Sequence, residues 1–311
     1  MDLLTGLFTT AFLAGGVLAL AALGEVLAER VGVVNLGVEG LMAMGALTAV
    51  ATVASFPSPT VGFLAALGVG AVFGMMFAFA TVILRANQVL CGLALTLMGN
   101  GLASTIGRAY SGMPARAVFA GIEVPLLSSI PIFGKAFFSQ NILVYLIYII
   151  LPVGLSYLML RTRHGLNMRA VGENPAAADA AGICVNLIRF VYVTAGSALA
   201  AGSGAYLTLT FVPSWSDGVV AGRGWIAVAL VIFAGYRPIP AVLSGLLFGF
   251  ITALGFVGQA RGWPFAPAFL SMLPYLGTMA FIIVPVLTWQ RMRRIMAAPA
   301  AIGVPYYRDV R

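Results

Sequence analysis

Charge is what this sequence has least of. Only 8% of its 311 residues are Asp, Glu, Lys or Arg, 61% are hydrophobic, and the mean hydropathy is +1.03. A soluble domain carries about 25% charged residues, so a water-solvated globular fold is excluded. Histidine occurs once, at His164, which excludes an H-E-x-x-H zinc site. The two cysteines, Cys91 in an apolar run and Cys184 in a polar one, make neither a disulfide framework nor a metal set. The only lysine is Lys135. A phosphate-cradling Walker A loop reads G-x-x-x-x-G-K-[ST]. Here Ser129 stands at the first glycine and Ala136 at the hydroxyl position, so the chain has no P-loop. It has no G-x-S-x-G nucleophile motif, and its acids are not paired by spacing. Asp2 and the lack of a basic leader make residues 3–23 read as a retained span rather than a signal peptide.

What is present is a series of long apolar runs. They are continuous rather than alternating, which favours helices over a transmembrane barrel. The expected fold is all-α, a polytopic membrane helical bundle of about nine transmembrane helices forming one domain over residues 1–311. Spans are expected near 3–24, 31–55, 59–84, 87–107, 141–160, 187–211, 224–236, 239–257 and 269–289, with 31–55 and 224–236 the weakest. Nine crossings put the termini on opposite sides. With the C-terminus in the cytoplasm, 12 of the 17 basic residues fall inside and five outside (Arg108, Arg116, Lys135, Arg223 and Arg261). The N-terminus is then outside. The net charge of +8 is explained by this sorting of arginines at span ends, not by nucleic-acid binding.

The most informative stretch is a polar island, residues 161–187, which reads RTRHGLNMRAVGENPAAADAAGICVNL. It holds a two-turn helix with both ends marked: Asn174 suits the N-cap, Pro175 the first helical position and Gly182 the left-handed stop. A helix so short is marginal in water and needs something to dock against. A basic, helix-bearing loop (161–186) on one face of a membrane protein points to a soluble partner. His164 is expected to be solvated there. The tail, residues 290–311, with QRMRR at its start, is expected to be a cytoplasmic anchor near anionic lipid.

Residues 32–47, GVVNLGVEGLMAMGAL, and 218–234, GVVAGRGWIAVALVIFA, each present a glycine-rich turn feeding a short apolar helix. Such a pair in opposite halves suggests an inverted repeat with a binding site near midplane. Chance recurrence of Gly-Val-Val among 37 glycines is the alternative. Polar residues inside spans are costly and therefore candidates. Asn35 and Glu39 share a helical face, and Glu39 reads as a pathway position, as a buried hydrogen bond to the broken backbone, or as a neighbour of Arg30 at the cytoplasmic face. Glu25 and Glu29 read as solvated beside Arg30. Asn87 and Gln88 read as a cap; Asn100 reads as an interhelical bond or a pathway residue. Tyr206, Phe211, Trp215 and Trp225 read as an interfacial belt around the outer connection or a stacking site for a ring-shaped substrate, with Asp217 and Arg223 flanking that loop. Asn35, Glu39, Asn100, Tyr206 and Trp225 are thus the candidate pathway residues.

The blocks NLGVEG, RAVGENPAAADAAGI and AGRGWIAVALVIFAGYRP resemble the permease subunits of bacterial ABC importers, in the branch that carries nucleosides and simple sugars. The resemblance covers roughly residues 20–290, and its specific parts are RAVGENP and AGRG. It implies a coupling helix at Glu173–Gly182, with Arg169, Gly172, Glu173, Asn174, Pro175, Asp179 and Gly182 as the ATPase-coupling residues. It also implies an ABC ATPase that binds the ATP, so that no cofactor belongs to this chain. A second permease in a heterodimer, of which this chain looks like the short form, and an extracytoplasmic substrate-binding protein are implied as well. A nucleoside is the first substrate expected and a ribose-type simple sugar the second. A secondary transporter would need a midplane coupling carboxylate, for which only Glu39 qualifies; a membrane enzyme ranks last.

Overall fold

The computed structural model describes residues 3–128, 130–288 and 297–308. Asp2 and residues 290–294, the expected lipid anchor, lie outside the described residues. Among those described there is no strand; isolated bridges such as Ser111–Trp215 and Gly121–Asn141 tie the connections at one end of the bundle. In lipid every backbone polar group must find a partner within the protein, and helices do this segment by segment.

The helices are α1 (Leu3–Arg30), α2 (Val38–Ser55), α3 (Pro59–Ala78), α4 (Gln88–Gly107), α5 (Phe133–Phe138), α6 (Ile142–Tyr145), α7 (Leu151–Arg161), α8 (Arg163–Glu173), α9 (Pro175–Ala180), α10 (Val185–Tyr206), α11 (Arg223–Phe233), α12 (Pro238–Ala260) and α13 (Pro267–Thr288). A π turn extends α3 to Ile83 and another extends α10 to Phe211; a third joins α6 to α7. Local chemistry marks several starts. Asn87 accepts the Leu90 N–H at 3.0 Å, and prolines open α3, α9 and α12 where their missing N–H is harmless.

Seven helical spans among the described residues are long and apolar enough to cross a membrane. The expected span 224–236 is not one of them. It is the 11-residue helix α11, about 16 Å long, against a hydrocarbon core of about 30 Å. Likewise residues 31–55 do not form one helix: 31–37 are non-helical and α2 starts at Val38. The connection at 25–30 that expected spans 3–24 and 31–55 leave between them does not exist, because α1 runs through to Arg30. Glu25 and Glu29, expected in solvent, are each 2% exposed. The reason is the break that follows. The non-helical segment folds back into the bundle and needs buried acceptors, and Glu25 supplies one.

Helix α1 is the central element and is buried almost continuously from Ala14 to Glu29. It packs on α10, α11 and α12, while α10 packs on α1, α2 and α3. Lipid tails are as apolar as leucine, so helices associate through close packing. Gly24 on α1 and Gly196 on α10 each lie against the other's carbonyl oxygen, and a Cβ on either would strike backbone.

The two ends of the bundle differ in charge. Arg30, Arg169 and Arg237 line one cavity. At the same end Arg189 donates to Val31 and Val304, Arg308 pairs with Asp179, and Arg85 stacks over Tyr307 at 4.8 Å. At the opposite end Arg116 donates to the Ala54 carbonyl, and Phe133 and Phe137 of α5 pack on Phe12 of α1. The start of α1 and residues 297–308 therefore lie at opposite ends of the bundle.

Candidate functional site

Two assemblies of polar residues stand out. The first is the polar island at the arginine-rich end. Asn174 accepts the Ala177 N–H at 3.0 Å, Pro175 opens α9, and Gly182 adopts φ +81°. The island also holds α8, which was not expected. Thr162 caps it by accepting the Gly165 N–H at 3.1 Å. Its buried face is Gly165, Met168, Val171 and Gly172, an i, i+3, i+6, i+7 pattern that was readable in the sequence. His164 is exposed.

Residues 297–308 strap this surface together. The Ala301 N–H donates to the Gly172 carbonyl at 2.9 Å, the Ala300 N–H to Glu173 Oε2 at 3.3 Å, and the Gly303 N–H to the Gly32 carbonyl at 3.1 Å. Arg308 Nε lies 3.3 Å from Asp179 Oδ2. Gly172 is pressed against the Arg30 carbonyl, and Arg169 Nε donates to the Gly165 carbonyl at 3.3 Å. The seven residues expected to couple thus share one end of the molecule, joined to the end of α1. The strap was not legible, because its contacts reach residues far away in the chain.

The second assembly lies where the two broken segments meet. Glu39, in the first turn of α2, accepts the Gly222 N–H through Oε1 at 2.7 Å and the Gly224 N–H through Oε2 at 2.7 Å. The carboxylate of one broken helix caps the N-terminus of the other. A negative group there is favoured by the helix dipole, and the bonds are charge-assisted. Of the three readings of Glu39, the hydrogen bond to broken backbone is the one observed. Arg223 donates to the Val219 and Val220 carbonyls at 3.0 and 2.9 Å, and Tyr275 donates to Ala221.

The segment 31–37 is satisfied in a parallel way. Glu25 Oε1 accepts the Asn35 N–H at 2.9 Å, Asn35 Oδ1 accepts the Gly37 N–H at 2.9 Å, and Asn35 Nδ2 donates to Ser197 at 3.3 Å. Gln88, expected as part of a cap, is buried and accepts the Val34 N–H at 2.9 Å, while Thr96 donates to the Leu36 carbonyl at 2.8 Å. Non-helical backbone at membrane depth is tolerated only when enclosed like this.

Two cavities flank the 219–223 turn, and Ala221 lines both. One, of about 210 Å³, is lined by Glu39, Asn100, Ser104, Trp215 and Asp217 among others, with Ser104 donating to Asp217. The other, of about 260 Å³, includes Arg223, Thr252, Gln259 and Tyr275. Of the candidate pathway residues, the structure brings Glu39 and Asn100 together at one cavity. Asn35 is a buried brace. Tyr206 is 0% exposed and lies against Gly16, in the core rather than in a belt or either cavity. Trp215, also expected in the belt, is 2% exposed and packs on Gly107. Trp225 is 40% exposed and borders neither cavity. Ser104, Gln259 and Tyr275 were missed; single polar residues in apolar runs give no spacing signal.

The chain as a whole is similar to several known proteins. A putative glucose ABC transporter permease protein of Haloferax volcanii is 35% identical, with 100% of each chain covered. A nucleoside ABC transporter permease protein of Lactococcus lactis is 37% identical over 94% of this chain and 93% of its own. A guanosine ABC transporter permease protein of Bacillus subtilis is 32% identical over 94% of both. No solved structure matches the chain. Residues 7–284 match the family described as branched-chain amino acid transport system / permease component, and the chain belongs to that family.

Proposed function

We propose that this chain is a membrane-embedded translocation subunit of an ATP-driven importer that moves a nucleoside inward by alternating access. Two relatives whose names specify nucleoside and guanosine transport cover nearly the whole chain. The observation that carries the coupling role is the capped α9 helix, held by α8 and the 297–308 strap on the arginine-rich end. By the positive-inside rule this end faces the cytoplasm, with the start of α1 outside. There α9, with Arg169, Gly172 and Glu173 behind it, docks on a separate ABC ATPase, which binds and hydrolyses the ATP. A second permease and an extracytoplasmic binding protein complete the importer.

The packing supports an inverted repeat. Contacts of α1 with α12 and α11 are mirrored by those of α10 with α3 and α2, and α2 with α4 by α11 with α13. The two broken helices then meet at the repeat interface, where Glu39 and Asn100 border the route.

A simple sugar is the second reading, favoured by the full-length relative named as a putative glucose permease. Uptake of labelled guanosine by the reconstituted importer, challenged with excess unlabelled glucose, ribose or other nucleosides, separates them. Nucleosides should compete and sugars should not; competition by glucose alone transfers the assignment to sugars.

A further inference from the structure

The cavity of about 410 Å³ at the arginine-rich end lies behind the docking face, with Arg169 and Glu173 in its lining, and its interior has been given no ligand so far. Arg30 at the end of α1, Arg169 on α8 and Arg237 at the N-cap of α12 all line it. Arg169 and Arg237 both lie within electrostatic reach of Arg30. The single acid among the described residues of its lining, Glu173, sits 4.0 Å from Arg30 and also takes the Ala300 N–H. Two positive charges are left in excess, and the N-terminal dipole of the 23-residue α12 adds to them. Tyr236, also in the lining, contributes no negative charge: burial, with the Glu29 carboxyl behind it, pushes its hydroxyl up to about 12. The two charges that Glu173 does not balance favour a further anion in this half-enclosed space.

The rim of this cavity is apolar and open. Leu160 on α7 and Ile239 on α12 are 58% and 47% exposed. Deeper along the same two helices, which pack on each other, Tyr157 and Leu243 also remain exposed.

We propose that this cavity binds the phosphate headgroup of an anionic phospholipid, with its acyl chains against α7 and α12. Arginine forks pair bidentately with phosphate oxygens, and basic pockets between helices at the membrane face suit such headgroups. A free phosphate ion shares the headgroup chemistry but makes no use of Leu160 and Ile239. The proposal rests on the reading of the chain as a membrane permease, not on its substrate or its ATPase.

The test is native mass spectrometry of the subunit released from nanodiscs of phosphatidylcholine with or without phosphatidylglycerol. The wild type should retain one phosphatidylglycerol. Arg30→Gln with Arg237→Gln should lower retention roughly tenfold or more, and Arg261→Gln, at the opposite end, should leave it unchanged. If the double variant does not fold, Ile239→Trp, which narrows the mouth and keeps all three arginines, must show the same loss. Equal retention in wild type and the cavity variants overturns the proposal. So does a wild type that binds inorganic phosphate in pure phosphatidylcholine as well as it binds phosphatidylglycerol. No uptake is read here, so a failed importer reading would show separately in the transport assays.

Discussion

Replacing Glu39 is the sharpest perturbation the structure offers. Glu39 is 7% exposed, and its carboxylate satisfies two backbone N–H groups, of Gly222 and Gly224, more than 180 residues away. In Glu39→Leu both donors stay buried without acceptors, at about 1–3 kcal/mol each. Loss of the charge at the α11 N-terminus adds about 0.3–1 kcal/mol. The junction between α2 and α11 should therefore loosen by at least ~2 kcal/mol, roughly a 30-fold rise in local opening. Glu39→Gln keeps the shape but offers one acceptor and one NH₂, which faces the second N–H donor to donor. On sequence grounds a glutamine here keeps the hydrogen bonding; the paired geometry shows that it keeps one bond of two. Gln should thus fall between wild type and Leu. The assay is hydrogen exchange at the 219–226 backbone of the purified subunit, with uptake measured in parallel. Exchange in Glu39→Leu indistinguishable from wild type would refute the capping argument.

Other positions give independent checks. Asn174→Ala with Gly182→Val removes a cap worth about 1 kcal/mol and forces a β-branched residue to φ +81°, so co-purification of the ATPase should fall; unchanged pull-down removes α9 from the docking surface. Gly24→Val drives a side chain into the Gly196 carbonyl and should cost about 1–3 kcal/mol in thermal unfolding, whereas Gly68→Ala, in the interior of α3 with open space around it, should cost nothing and stabilise by up to about 1 kcal/mol. In a background with Cys91 and Cys184 replaced by serine, Gly262→Cys should react with an impermeant reagent applied outside and Arg163→Cys should not; the reverse pattern inverts the orientation. Both positions are exposed, unlike Ala178, which is 3% exposed and would resist labelling from either side.

The parts legible in the sequence were the local ones. Asn174, Pro175 and Gly182 mark α9 because capping depends on neighbours a few residues away. Continuous apolar runs mark the long spans for the same reason. What failed was non-local. Glu25 and Glu29, four residues apart beside Arg30, look like a solvated interface until the 31–37 break returns and uses Glu25 as its acceptor. The two Gly-Val-Val segments were visible as a pair, but not the bond that joins them, since nothing local links Glu39 to Gly222. Tyr206 carries the aromatic signature of an interface and instead fills the core beside Gly16, where a glycine leaves room for a ring. Helix α8 went unread although its buried positions recur at helical spacing, because two of the four, Gly165 and Gly172, are glycines and only Met168 and Val171 carry an apolar side chain.

The central claim, that transport through this chain is driven by ATP hydrolysed on a separate subunit at the α9 face, meets its most direct test in one measurement. Labelled guanosine uptake is followed in proteoliposomes of the assembled importer, with ATP supplied or withheld and with the proton gradient intact or collapsed. The account predicts uptake that requires ATP, ignores the gradient and stops when the ATPase is omitted. Uptake that survives without ATP, follows the gradient and vanishes in Glu39→Gln would contradict it and identify an ion-coupled carrier.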